Sequence, residues 1–323
     1  MIGKNEEPVA DKQITIMAVH AHPDDEVVFT GGTLALYSSR GVRTVLVTTT
    51  GGEEGEIHDS DLDPEEARPR LGDIRREELR RAVDILGIDH LELLGYRDSG
   101  MAGTEPNQRP DNFHNADREE ATCRLVALVR RYKPQVLITY DENGAYGHPD
   151  HIMCNVITHA AFEKAGDQSY FPELGEPWQP LKLYYTHWPE EPWKQAREIY
   201  IERGLKWPWD RDEEKKPDED PEHESIEEAV EQQVEQVTEQ ESTPEKPEYV
   251  PPPTTTRINV RDFIAVKREA TFVHRTQFAP DGFFKTMPDD VYAVAMGEEH
   301  YSLVESRLPG PHADEAHDIL AGL

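Results

Sequence analysis

The chain is short of several things, and each shortage excludes something. Only two of its 323 residues are cysteines, Cys123 and Cys154, and neither sits in a C-x-x-C pair. A disulfide framework is therefore not the basis of the fold, and a reducing, cytoplasmic setting is the expectation. Positive charge is scarce too: 34 Lys and Arg face 65 Asp and Glu, a formal net charge of −31. Phosphate backbones and anionic lipid surfaces attract basic faces, so neither nucleic acid nor a membrane is expected as a partner. No apolar run approaches the ~18 residues that a bilayer demands. Met1 to Lys12 is charged and lacks the apolar core of a secretory signal.

Apolar residues are themselves sparse, at 36% with a mean hydropathy of −0.75. A chain this long can bury a sizeable core, so a local polar segment explains the deficit better than a poor core throughout. Residues 210–248 carry seventeen acids against four bases, a net of −13, and Pro251-Pro252-Pro253-Thr254-Thr255-Thr256 follows. Such a composition cannot bury enough apolar surface to order itself, which predicts a solvated, disordered insertion over 210–256. One detail points elsewhere. Ile226, Val230, Val234 and Val237 are spaced by four, four and three, an apolar stripe for a helix that docks on its own domain or on a second subunit. A homo-oligomer stays open on that ground.

On either side of the insertion the pattern is that of an α/β fold. Strands are predicted at Ile14–Val19, Val42–Thr48, Leu91–Leu94 and Val136–Thr139. Helices are predicted at Gly31–Arg40, Asp73–Leu86, Ala121–Tyr132 and Pro149–Phe162, with one more near Ala265–His274. Strand, helix, strand at this spacing predicts a Rossmann-like, mostly parallel sheet with crossover helices. The catalytic domain then runs over 12–209 and is completed by 257–323. Sheets of this kind bind ligands at the carboxyl ends of their strands.

Two clusters fall at such ends. Ala21-His22-Pro23-Asp24-Asp25-Glu26 follows the first strand, and His148-Pro149-Asp150-His151 opens the helix after the fourth. Imidazoles and carboxylates are the donors that zinc takes, and a catalytic zinc keeps one position for water. Either cluster alone could be a helix N-cap; two at matching strand ends make one site the stronger expectation. His148 and His151, three apart on a first turn, can face the same way. Gly144 and Gly147 flank Tyr146, an aromatic that either swings over the site or merely packs beside the loop. Isolated histidines such as His58, His90, His114, His159 and His187 are expected at the surface or in the core. Cys154 is expected to be a small buried hydrophobe. His274, followed by Arg275 and Gln277, is given no role.

The paired motifs resemble the LmbE-like, or PIG-L, family of zinc deacetylases. Ala18 to Glu26, Gly52 to Glu56, Arg97 to Thr104, Tyr140 to His151 and His274 to Gln277 narrow the resemblance to the branch that deacetylates N-acetylglucosaminyl-inositol in mycothiol biosynthesis. The likeness covers most of 12–190 and returns near 257. It implies His22, Asp25 and His151 as ligands of one Zn(2+) per subunit, with Fe(2+) suited to the same donor set. It further implies Asp24 as general base, His148, if protonated, as stabiliser of the oxyanion, Tyr146 as a mobile tyrosine, and Arg75 and Asp98 as sugar-binding residues. Val27-Val28-Phe29 depart from that branch, and Phe29 is expected to reshape the pocket.

The chemistry that follows is hydrolysis of an acetamide. Zinc brings the pKa of a bound water towards ~7, Asp24 accepts its proton, and the metal and His148 stabilise the charge that develops. Asp150 is expected to orient a ligand imidazole from behind. The expected function is therefore a zinc-dependent N-deacetylase of an N-acetylglucosamine-type small-molecule sugar. Three alternatives stand beside it: an amidase for mycothiol S-conjugates, a deacetylase for another N-acetylglucosaminide, and a non-catalytic sugar-binding scaffold.

Overall fold

The computed structural model describes residues 14–208, 249–312 and 314–323. The acidic stretch 210–248, with the stripe from Ile226 to Val237, lies outside these. The described residues fall into two units, those within 14–196 and 251–323, and those within 197–208 and 249–250. In the smaller unit Tyr200 and Trp207 meet edge to face at 5.5 Å.

The larger unit is built on seven strands: β1 (Thr15–His20), β2 (Arg43–Thr50), β3 (His90–Tyr96), β4 (Val136–Thr139), β5 (Lys182–His187), β6 (Thr256–Asn259) and β7 (Glu298–Ser306). Their order in the sheet is β3-β2-β1-β4-β5-β7-β6. The first five run parallel, β7 runs antiparallel to β5, and β6 antiparallel to β7. The expected mostly parallel sheet is there, with an antiparallel edge added by the C-terminal residues.

Alternation along the strands divides the core in two. From β1, Met17 and Val19 enter one apolar cluster, while Ile16 and Ala18 enter the other. The principal helices are α1 (Asp25–Phe29), α2 (Gly31–Ser39), α3 (Leu71–Leu86), α4 (Arg118–Tyr132), α5 (Pro149–Lys164), α6 (Ile264–Thr271) and α7 (Asp289–Met296). α4 and α5 cover the first cluster through Leu125, Val129, Ile157 and Ala161. α2, α3 and α6 cover the second through Leu34, Leu79, Val83 and Ala270. With both faces covered, the central strands carry apolar runs over 16–19, 45–47 and 136–138, and β1, β2 and β4 are buried at every position.

The antiparallel edge is held by buried charge. Glu299, at the start of β7, accepts from the amides of Gly32 and Thr33 at 2.8 Å each, capping α2, and pairs with Lys267 of α6 at 2.6 Å. Lys182 in β5 pairs with Glu315 at 2.9 Å. These ties bring the chain after residue 256 onto the helices that follow β1, and so to the rim where the two clusters lie.

Candidate metal and catalytic site

The carboxyl ends of β1 and β4, adjacent in the sheet, set the two clusters side by side. His22 follows β1, Asp25 opens α1, and His151 lies in the first turn of α5. His22 Nδ1 is 3.2 Å from His151 Nε2 and 3.5 Å from Asp25 Oδ2, and His151 Nε2 is 3.4 Å from Asp25 Oδ1. The two imidazole nitrogens and the Asp25 carboxylate, which faces His22 through Oδ2 and His151 through Oδ1, thus form a triangle of groups 3.2–3.5 Å apart. His148 clusters with His22 and His151 as a further candidate donor. A tetrahedral ion with bonds of ~2.0–2.1 Å separates its ligands by about 3.3–3.4 Å, so these residues fit a divalent cation of that size. All three are less than a tenth exposed.

The charges fit as well. Burial disfavours an ionised Asp25, yet His151 and His22 hold its carboxyl well below the usual range. Burial pulls His151 down to about 3, so its imidazole is neutral and ready to donate a lone pair. Burial also opposes charge on His22, but Asp98, Asp150 and Asp25 together raise it well above the usual imidazole range. A cation at the triangle would take the place of the His22 proton. His22 Nε2 lies 3.4 Å from Asp150 Oδ2, and Asp150 also accepts from the Ser99 amide at 2.8 Å, which places Asp150 behind the ligand ring as expected. Tyr140 stacks on His151 with ring centroids 4.0 Å apart.

Asp24 occupies the N-cap position of α1, yet its carboxylate makes no cap bond. Its backbone has φ 124° and ψ −26°, a region that costs a residue with a Cβ about 1–3 kcal/mol. The carboxylate instead meets Arg75 Nη2 at 3.1 Å. Burial pushes Asp24 up to about 7 against the pull of Arg75, with Asp25 adding to the rise. Arg75 is itself buried and donates to the carbonyls of Gly52 at 2.8 Å and Pro23 at 2.7 Å. A Cβ on Gly52 would lie 2.3 Å from the guanidinium, so this close approach requires glycine. Arg75 is therefore the counter-ion of Asp24, a relation that sequence spacing did not reveal.

His148 caps α5 by accepting the Asp150 amide at its Nδ1, at 3.1 Å. Burial and the neighbouring His22 and His151 hold it well below the usual imidazole range. The expectation ties the oxyanion role to a protonated His148; with Nδ1 accepting from the Asp150 amide, a neutral ring places its proton on Nε2, so that role does not require the charged form. The His148 ring centroid lies 4.5 Å from that of His22. Tyr146 is 43% exposed, with its ring 4.9 Å from His151 and 6.2 Å from His148, so it stands at the mouth. Asp98 lies 3.6 Å from His22 Nε2 and accepts from the Gly100 and Glu54 amides.

Other expectations resolve simply. Phe29 stacks on His20 and meets Tyr140 edge to face, a prop behind the ligands whose outer edge lines a cleft with Trp188. It packs in the core more than it shapes the metal pocket. Cys154 is buried beside Thr49. His274 is fully buried and bonded to Glu26, a partner 248 positions away that no local pattern could announce.

A mostly parallel sheet with a buried His/Asp cluster that could hold a metal ion, beside an acid held by arginine, places the chain among α/β proteins equipped for hydrolytic chemistry. The chain belongs to the PIG-L family: residues 17–162 match the family described as GlcNAc-PI de-N-acetylase. It is 37% identical over 318 residues to a 1D-myo-inositol 2-acetamido-2-deoxy-alpha-D-glucopyranoside deacetylase 1 of Frankia alni, covering 94% of this chain and 99% of that protein. Among solved structures, the N,N'-diacetylchitobiose deacetylase of Pyrococcus horikoshii aligns with a TM-score of 0.54 at 19% identity, over 90% of this chain and 83% of that one. GalB, the 4-carboxy-2-hydroxymuconate hydratase of Pseudomonas putida KT2440, aligns with a TM-score of 0.55 at 16% identity, over 93% and 100%. The same scaffold therefore carries a hydratase as well as a deacetylase, and the reaction must be argued from the site and the nearer relatives. Among the described residues no helix is long and apolar enough to cross a membrane.

Proposed function

We propose that the protein is a zinc-dependent hydrolase that removes the acetyl group from the nitrogen of an N-acetylglucosamine-type sugar, with N-acetylglucosaminyl-inositol as the substrate. The observation that carries this reading is Asp24. It lies beside the His22–Asp25–His151 triangle, is turned away from its own helix cap, and is poised near neutrality. The near-complete overlap with the Frankia deacetylase supports the choice of sugar.

Zinc held by His22, Asp25 and His151 would supply an acidified water and a positive charge for the acetyl oxygen. Asp24 takes the water's proton as attack begins, and a base poised near the working pH is best matched to that task. Arg75 keeps the carboxylate in place and limits how far burial can raise it. His148, with Nδ1 engaged by the Asp150 amide, offers Nε2–H to the oxygen that becomes negative. The departing amine gains its proton from Asp24. Tyr146 closes over the sugar from the mouth, and Asp98, beside His22, takes the sugar-binding part. Arg75, expected as a sugar-binding residue, is buried with its Nη groups engaged by Gly52, Pro23 and Asp24, and acts through Asp24 instead. A reducing cytoplasm suits a chain with two free cysteines.

The test is acetate release from N-acetylglucosaminyl-inositol by the zinc-loaded protein, beside Asp24→Asn. The reading predicts turnover by the wild type and a loss of about 10²–10⁴-fold in the variant, the range for a general base. Equal rates would contradict it.

A further inference from the structure

Asp24 holds a backbone conformation that its residue type disfavours, and something must hold it there. Among the described non-glycine residues only Lys133, Ala145 and Phe171 share a positive φ. In the ordinary arrangement an aspartate at this position folds its carboxylate onto the first amides of its helix. Relaxation of Asp24 to negative φ would lead there and withdraw the carboxylate from Arg75.

The restraint comes from Glu26. Its Oε2 accepts the Asp24 amide at 2.9 Å, and its Oε1 accepts from His274 Nε2 at 2.6 Å. Both side chains are fully buried, so neither can touch a substrate. His274 is anchored in turn: its carbonyl accepts from Gln277 and Phe278, at 3.0 and 2.8 Å. Two residues on, the Thr276 amide and hydroxyl donate to Glu78 of α3, at 2.9 and 2.6 Å. His274 Nδ1 is buried with no hydrogen-bond partner among the described residues. A buried ion pair is a weak stabiliser against an apolar replacement.

We propose that Glu26 and His274 are positioning residues which hold the Asp24 backbone in its left-handed turn, keeping the base off the helix cap and on the reacting face. The inference rests on Asp24 being the base. It gives the C-terminal segment a part in the reaction, exerted from behind α1.

A double-mutant cycle tests it. In the zinc-loaded full chain, Glu26→Leu is expected to lower kcat by about 10²-fold, the effect of misplacing a reacting group by about 1 Å. KM and bound metal stay within about 3-fold of wild type, since an effect confined to the transition state leaves uniform binding alone. In the Asp24→Asn background the same substitution should change the residual kcat by less than about 3-fold. Equal losses in both backgrounds would overturn the proposal. His274→Gln takes the same place in the cycle if Glu26→Leu does not fold. Crystal structures give an arm independent of substrate: in either variant Asp24 should relax to negative φ and cap its own helix, and a φ still near that of the wild type would overturn the proposal. If the wild type hydrolyses no N-acetylglucosaminide, the deacetylase reading falls, while the crystallographic arm still decides whether the pair holds the turn.

Discussion

Arg75→Met removes one side chain and reaches both stability and chemistry. In the folded protein Arg75 is 3% exposed, and its two Nη groups serve the Gly52 carbonyl, the Pro23 carbonyl and the Asp24 carboxylate. Methionine fills most of the volume and meets none of these. Breaking a buried pair by removing one partner costs about 3–5 kcal/mol, and each carbonyl left buried without a donor adds about 1–3 kcal/mol. The carbonyls can relax towards solvent and the terms overlap, so a loss of about 3–6 kcal/mol is expected near neutral pH. The pH dependence gives the sharper signature. Asp24 already stands at about 7 because burial outweighs the pull of Arg75, and without that pull its pKa rises further. A raised carboxylate pKa means the folded state binds more protons than the unfolded one, so stability falls as pH rises from the unfolded value towards the folded one. The variant should therefore recover stability in mild acid relative to wild type. The base must be ionised to act, so the acidic limb of kcat/KM should move to higher pH. Urea melts from pH 5 to 8 with pH–rate profiles check both. An unchanged acidic limb, or a destabilisation that does not shrink in acid, would refute the coupling of Arg75 to Asp24.

Further outcomes follow from the same contacts. His151→Ala should abolish stoichiometric zinc binding, measured by competition with a chromophoric chelator, while Asp98→Ala should retain it. His22 is held protonated by Asp98, Asp150 and Asp25, so zinc loading should release a proton and weaken as pH falls, as read by calorimetry in buffers of different ionisation enthalpy. Burial pulls His274 down, but Glu26 with Asp24 and Glu78 raises it overall. The stability it contributes is thus complete below the unfolded value of about 6.5 and is lost as pH rises through the folded value, whereas His274→Gln should flatten that part of the urea-melt profile. Lys267→Met leaves Glu299 buried beside the α2 amides without its cation and should cost about 3–5 kcal/mol by chemical denaturation.

The parts of the fold that were legible in the sequence are those where local pattern and burial agree. Val136–Thr139 is a strand with the predicted bounds, and Pro149 opens its helix where proline at the first position is expected. The meeting of His22, Asp25 and His151 was legible because they lie in two short motifs at strand ends. The antiparallel edge was not, because buried charges interrupt its apolar runs. Lys182 opens β5 and Glu299 lies inside β7, each neutralised by a partner far away in the chain. α1 was missed because only five residues are helical and four of them are buried, leaving no amphipathic period to read. Arg75 opposite Asp24 and His274 behind Glu26 are long-range pairs whose meaning appears only once α3 and α6 pack beside α1. The positive φ of Asp24 has no sequence signature, since aspartate is also an ordinary N-cap residue.

The most direct test of the account is acetate release from N-acetylglucosaminyl-inositol by one preparation, carried through chelator treatment and zinc restoration. The account predicts turnover with one zinc per chain, loss of turnover when the metal is removed, and recovery when zinc is returned, all three absent in His151→Ala. Turnover that persists in the metal-free protein, or in His151→Ala, would contradict it.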